Sequence, residues 1–288
     1  MPDAPRPAGR ARLGVVDRHV LVDGVRLAVR DEGSGEPVVL VHGTPSHSVI
    51  WRHVLPALAA RGRRVLCYDL LGYGTSERPV SRDTSVTAQA DLLVTLLDTL
   101  GLDRVDLVGH DIGGAVAQRL AVAHPERLHR LVLADTVSYD SWPSSTWREI
   151  IETHLDRYEA LPLEEFRALL TRQLRMTVAD PARMSGDVLD AYLAPLVSPL
   201  GKVSFFRHQV AHYDARHTEE IVAHLPTVEA PTLVAWGEAD RWQPLRYAER
   251  LVRDLPDAEL HTIPDAGHFV TEDAPRAFTE AVGGFLAA

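Results

Sequence analysis

Cysteine is nearly absent from this chain. Cys67 stands alone among 288 residues, so no intramolecular disulfide can form and a reducing, cytoplasmic setting is expected. It lies in an apolar run and reads as a buried structural thiol, not a nucleophile. Long hydrophobic runs are missing too: no window approaches the roughly 20 apolar residues of a membrane-spanning helix. Basic side chains are outnumbered, 30 against 40 acidic, and the formal net charge of −10 argues against nucleic acid and anionic membranes as partners. Neither a phosphate-binding loop nor a metal-ligand cluster appears. His42, His47 and His110 lack metal-ligand spacing, so no metal and no organic cofactor is expected. The first ten residues are Pro-rich without an apolar core, which reads as a disordered lead-in and not as a signal peptide.

What is present describes an ordinary soluble protein, 45% hydrophobic and 24% charged. The length suits one large domain, or one domain carrying an insertion. His19 to Val22 and Val25 to Arg30 are alternating runs joined by Asp23-Gly24, a strong hairpin signal. Pro37 to Val41, Arg64 to Tyr68, Val105 to His110, Leu128 to Ala134, Thr232 to Ala235 and Ala258 to Ile263 read as buried strands. Helices are expected over 48–60, 85–100, from Ile112 to His124, over 244–254 and over 271–286. The alternation predicts a mostly parallel sheet of eight strands with helices on both faces. Between Val137 and about Leu225 it breaks, and amphipathic segments such as Trp147 to Tyr158 and Leu163 to Met176 predict a helical insertion.

The stretch that organises the rest is Gly109-His110-Asp111-Ile112-Gly113-Gly114, where a strand turns sharply into a helix. Small residues give such a turn room and let one side chain project clear of the sheet. An Asp before a Gly-rich helix start is also a common N-cap. The remaining chain shifts the balance toward catalysis. Asp240 ends a buried strand where a carboxylate can hold an imidazole, and His268 follows the last strand in an exposed loop. Asp240 has an N-cap alternative of its own, and Glu238 and Asp265 are fallback acids.

Four elements, His42-Gly43-Thr44-Pro45, Gly109-His110-Asp111-Ile112-Gly113, Gly237-Glu238-Ala239-Asp240 and Gly267-His268-Phe269, resemble the α/β-hydrolase superfamily over nearly the full length. Within it they look like the Asp-nucleophile branch of epoxide hydrolases and haloalkane or haloacetate dehalogenases. The resemblance implies a core domain over 1–136 and 226–288 and a helical cap over 137–225 that walls the substrate pocket. It implies a triad of Asp111, Asp240 and His268 in the chain order nucleophile, acid, base, with oxyanion donors from the backbone of Thr44 and Ile112. A carboxylate attacking an ester or amide would make a high-energy anhydride. Attack at an sp3 carbon instead gives an alkyl-enzyme ester that His268-activated water hydrolyses.

The leaving group is read from resemblance as well. Haloalkane dehalogenases usually place Trp directly after the nucleophile, and haloacetate dehalogenases place Arg there. This chain has Ile112, a departure from many epoxide hydrolases too, although Trp142, Trp147 or Trp242 can supply an indole donor from elsewhere. Epoxide hydrolases set cap tyrosines against the oxirane oxygen, and Tyr158 and Tyr213 have the spacing of those ring-opening groups. Packing is the plain alternative for each. The expected function is therefore opening of an epoxide to a diol, with haloalkane or haloacid dehalogenation as the alternative. A non-hydrolytic small-molecule receptor or lyase on the same scaffold is the alternative of another class. Candidate pocket residues are His42, Trp142, Trp147, His208 and Phe269, with Phe205 and Phe206 also in the cap, around a small apolar substrate and water. A homodimer is possible on the sequence.

Overall fold

Alternate side chains of a strand point to opposite faces, and this chain fills both. From Val38 onward every residue of β3 (Pro37–Val41) is buried. Val39 and Val41 enter one apolar core and Val38 and Leu40 the other. The computed structural model describes residues 16–287, so the Pro-rich start lies outside the described residues. β1 (Arg18–Val22) and β2 (Val25–Gly33) pair antiparallel across Asp23 and Gly24. Both turn residues have positive φ, 44° and 77°, as a tight two-residue hairpin requires. β4 (Arg64–Tyr68), β5 (Val105–His110), β6 (Leu128–Ala134), β7 (Thr232–Gly237) and β8 (Ala258–Ile263) complete eight strands in the order β1-β2-β4-β3-β5-β6-β7-β8. Pairing is parallel from β4 through β3 to β8.

Helices cover both faces, as an all-parallel region demands. α1 (Val54–Ala59) packs on one side, and α2 (Val86–Thr99) and α3 (Ile112–Ala123) on the other. The single helix expected over 48–60 is instead a 3₁₀ turn at Ser48–Trp51 followed by α1. A continuous helix would bury Pro56 in its interior; restarting at Val54 leaves it in the first turn, where its missing N–H costs little. Cys67 is fully buried on β4, and burial pushes its thiol pKa well up.

Between β6 and β7 the chain is helical. α4 (Ser145–Glu149), a π-helical turn (Ile150–His154), α5 (Leu155–Glu159), α6 (Leu163–Arg175), α7 (Gly186–Leu193) and α8 (Pro199–Ser204) come first. A second π turn (Phe205–Gln209), a 3₁₀ turn (Val210–His212), α9 (Arg216–Glu219) and a 3₁₀ stretch (Val222–Thr227) follow. Phe166, Phe205 and Tyr192 of this insertion join the same core as α1 and the strands. α10 (Arg246–Asp254) lies between β7 and β8. The closing helix expected over 271–286 is broken into α11 (Val270–Asp273) and α12 (Pro275–Ala287), because Pro275 must open a helix rather than continue one. No helix among the described residues is long and apolar enough to cross a membrane.

Candidate active site

Asp111 follows β5 directly and opens α3 at φ 53°, ψ −122°. A non-glycine residue held there costs about 1–3 kcal/mol and persists only where its surroundings fix it. Here the Asp111 carbonyl accepts from Gly114 N–H at 3.0 Å, Val137 N–H at 3.2 Å and the Thr136 hydroxyl at 3.1 Å. Gly113 is obligatory, because a Cβ there would collide with the carbonyl oxygens of Val41 and His42. A Cβ on Gly43 would collide with the Asp111 carboxyl itself. The turn therefore sends the side chain off the end of the sheet, and the carboxyl bonds no N–H of α3. The N-cap alternative fails on that geometry.

The carboxyl is buried and engaged at both oxygens. Oδ1 accepts from Thr44 N–H at 2.7 Å, and Oδ2 lies 3.4 Å from His268 Nε2. His268 Nδ1 meets Asp240 Oδ2 at 2.9 Å, while Asp240 Oδ1 accepts from the N–H groups of Trp242 and Gln243 at 2.7 and 2.9 Å. Asp240 thus serves both as turn cap and as imidazole partner. Burial opposes charge on His268, but the neighbouring Asp240 and contacts with both carboxylates outweigh it and hold the pKa well above its ordinary value. Burial likewise opposes charge on Asp111, and the bond and charge of His268, with His110 and Thr44 N–H, keep its pKa below the usual range. The two shifts favour the charged forms of His268 and Asp111 beside each other.

His268 is fixed from behind. His110 Nε2–H donates to the His268 carbonyl at 2.8 Å, and the two rings sit 4.9 Å apart. Burial, then the His268 charge, drives the His110 pKa down to about 4, so His110 stays neutral. In front of Asp111 lies a cavity of about 50 Å³ lined by Thr44, Pro45, Ser141, Trp142, Ser144, Trp147, Gln173, Thr177, Tyr213, Trp242, Gln243 and His268. The Thr44 hydroxyl donates to Gln209 Oε1 at 3.2 Å and is 2.7 Å from the Tyr213 hydroxyl, which therefore donates to it. Burial raises the Tyr213 pKa, so the phenol keeps its proton. Trp142 and Trp147 pack on the Tyr213 ring at 4.8 and 5.8 Å.

A family model described as alpha/beta hydrolase fold matches residues 36–275. The chain belongs to that family. Among its relatives, haloalkane dehalogenase 2 of Mycobacterium tuberculosis is 33% identical over 267 residues, covering 89% of this chain and 90% of the relative. A 2-hydroxymuconate semialdehyde hydrolase of Pseudomonas sp. strain CF600 is 29% identical over 282 residues, covering 94% of each. The solved structure of the epoxide hydrolase CorEH without ligand superposes with a TM-score of 0.80 at 27% identity, over 94% of this chain and 98% of that one.

Not every sequence candidate of this α/β-hydrolase reaches the cavity. Trp142, Trp147, Thr44 and Tyr213 do; Tyr158 does not, and lines a separate surface cleft with Arg157, Leu161 and Glu165. In an unbroken helix Tyr158 would share a face with Trp147. There it would lie about 16 Å further along the axis, but the intervening π turn carries one extra residue that rotates it away. His42 is a correction as well: Nδ1–H donates to the Gly43 carbonyl and Nε2 accepts from Leu70 N–H, so the ring braces the Thr44 loop. His208 bonds the Pro79 carbonyl and Ser204, and Phe269 packs behind the His268 and His110 rings. Ile112 turns its side chain into the core, and its N–H finds no acceptor among the described residues. Glu238 bonds Thr262 on the exposed rim, and Asp265 is exposed.

The sequence reading missed polar lining residues such as Gln173 and Gln243, and a buried carboxyl beside Asp240. Asp135, just past β6, is fully buried with φ 42°. Its Oδ1 accepts from Gly237 N–H at 2.8 Å, while Oδ2 has no partner that a carboxylate can use. Burial first, then the adjacent Asp240 charge, raise its pKa well above the ordinary carboxylate value. The signal was its position: an Asp at the carboxyl end of a buried parallel strand, like Asp111 and Asp240.

Proposed function

We propose that this hydrolase opens an epoxide to a diol through an ester on Asp111, with the helices between β6 and β7 acting as a cap. The observation that carries the reading is the Asp111 carboxyl, with Oδ1 on Thr44 N–H and Oδ2 facing His268, beside the Tyr213 phenol in one cavity. Asp111 attacks a ring carbon, the ring C–O bond breaks, and its electron pair stays on oxygen, to which Tyr213 turns the hydroxyl hydrogen that it gives to Thr44 Oγ1 in the free site. Ester formation removes the Asp111 charge. His268 then loses one of the two carboxylates that raise its pKa, gives up its proton, and becomes a base. That proton balances the one the alkoxide takes up.

Water, deprotonated by His268, next adds to the Asp111 carboxyl carbon. The oxyanion forms on Oδ1, which already accepts from Thr44 N–H, with Ile112 N–H as second donor. Collapse returns the carboxylate, and the hydroxyl just added gives its proton to the departing alkoxide. The imidazolium is restored with no net proton released. The N–H of Thr44 therefore serves the second step.

A second reading, dehalogenation, is favoured by the tryptophan-lined cavity and by the similarity to haloalkane dehalogenase 2. It uses the same ester but releases one proton per turnover, because a halide takes none. Short terminal epoxides and the matching 1-haloalkanes, followed for diol, halide and acid release together, separate the two. Diol without acidification is expected. Halide with stoichiometric acid, and no diol from any epoxide, would replace the first reading by the second.

A further inference from the structure

Nucleophile, phenol and helical insertion all meet at Thr44. Its N–H holds Asp111 Oδ1 at 2.7 Å, while its hydroxyl oxygen lies 2.7 Å from the Tyr213 hydroxyl and 3.2 Å from Gln209 Oε1. Gln209 closes the second π turn and Tyr213 follows the next 3₁₀ turn, so two side chains of the insertion converge on one hydroxyl of the loop after β3. Thr44 and Gln209 are both buried. A threonine hydroxyl has one hydrogen and two lone pairs, and the hydrogen rotates to suit its neighbours. In the free site that hydrogen goes to Gln209, and a lone pair takes the Tyr213 hydrogen. Among the described residues the Tyr213 oxygen has no other hydrogen-bond partner, and its ring is packed by Trp142 and Trp147.

A phenol that gives its hydrogen to a ring oxygen takes on negative charge at its own oxygen. Burial opposes that charge and so does the nearby Asp111, whereas the Thr44 contact favours it. We infer that the Thr44 hydroxyl is a positioning group for ring opening, which swings its hydrogen from Gln209 Oε1 to the Tyr213 oxygen as Tyr213 turns its own toward the substrate. The inference rests on the reading of Tyr213 as the donor to an opening epoxide. An oxirane oxygen drives the exchange because it accepts the Tyr213 hydrogen. No proton leaves Thr44. The Tyr213 proton passes to the alkoxide as the ring C–O bond breaks, and the proton that His268 then releases restores the phenol. Meanwhile the bond from Thr44 to the phenol oxygen changes from neutral to charge-assisted, which strengthens it. Gln209 is the acceptor that holds the hydrogen while the site is empty. Thr44 therefore acts in both chemical steps through different atoms, its hydroxyl in ring opening and its N–H in ester hydrolysis.

Single-turnover alkylation by a short terminal epoxide, with ester formation followed by mass spectrometry, tests this. A rate constant at saturating substrate does not depend on how much of a variant folds. Thr44→Val removes the hydroxyl and keeps the N–H. It should lower the saturating alkylation rate roughly tenfold, the difference between a neutral and a charge-assisted hydrogen bond. The substrate Kd should stay the same or fall, because the variant has no Thr44 bonds to break on binding. Thr44→Ala should repeat that split, and Thr44→Ser, which keeps the hydroxyl, should restore the rate to within about threefold. In a Tyr213→Phe background the loss from Thr44→Val should shrink below about twofold, since the hydroxyl acts through the phenol. A group that only supported the fold would weaken binding and add its loss to that of Tyr213→Phe. Wild-type alkylation in Thr44→Val, weaker binding, or an equal loss with and without the phenol would overturn the inference and leave the epoxide reading standing. A wild type that opens no epoxide would overturn both.

Discussion

The carboxyl ends of the parallel strands and the helical insertion above them supply the two walls of one cavity, and they are built by different means. On the sheet side, Asp111, Asp240, Asp135 and His268 are located by backbone: positive φ, glycine contacts and N–H groups aimed at oxygens. On the helical side, Trp147, Gln173 and Tyr213 are located by helix phase and side-chain packing. The first kind of wall holds its carboxyl groups by backbone N–H bonds and leaves no room for a Cβ at Gly43 or Gly113. The second can exchange side chains without disturbing the elbow. Asp111, Asp240 and His268 stand on the first wall, and the Tyr213 phenol faces them from the second.

The largest expected effect lies on the sheet side. His268→Gln should slow ester hydrolysis by roughly a thousandfold or more while alkylation continues, since the base acts only in the second step. Intact-protein mass spectrometry should then find substrate mass on Asp111. Unimpaired turnover in this variant would break the division outright.

On the helical side the effect should be smaller and confined to one tyrosine. Tyr213→Phe is expected to slow epoxide alkylation about a hundredfold, the loss of a single oxyanion donor of around 3 kcal/mol. Tyr158→Phe should leave the rate unchanged, because that ring borders a different cleft. Single-turnover alkylation rates check both, and equal behaviour of the two variants would remove the ring-opening role.

The smallest effect sharpens the sheet side. Because the folded protein raises the Asp135 pKa, it keeps a proton there that the unfolded chain loses above about pH 4. Stability attributable to this group therefore falls as pH rises from that point through the folded pKa. Asp135→Asn imitates the protonated form without that dependence. It should raise neutral-pH stability, on the order of 1 kcal/mol, with activity within a few-fold, and the gain should vanish toward pH 3. Thermal melts across pH measure it. A loss of stability at neutral pH would mean that Asp135 is an ionised partner of the site.

What the sequence made legible follows the same division. The elbow could be read because its sterics demand glycine at fixed positions, and the Thr44 loop, Asp240 and His268 because each ends a strand of recognisable pattern. Asp135 ends the strand Leu128 to Ala134 in the same way, but beyond that position no glycine or motif marks Ala134-Asp135-Thr136 as part of a site. Tyr158 and Tyr213 could not be ranked, since spacing along the chain does not register a π turn. His42, His208 and Phe269 were misplaced for a related reason: their backbone bonds and ring stacking leave no trace in sequence.

The claim on which all of this rests is that Asp111 is a nucleophile and not a base. A single turnover in heavy-oxygen water, with enzyme in excess over substrate, tests it most directly. If water attacks the Asp111 ester, the first product carries unlabelled oxygen from the carboxylate, and the label appears in the peptide containing Asp111. Label entering the first-turnover product while Asp111 stays unlabelled would mean that water attacks the substrate carbon itself, and would contradict the account.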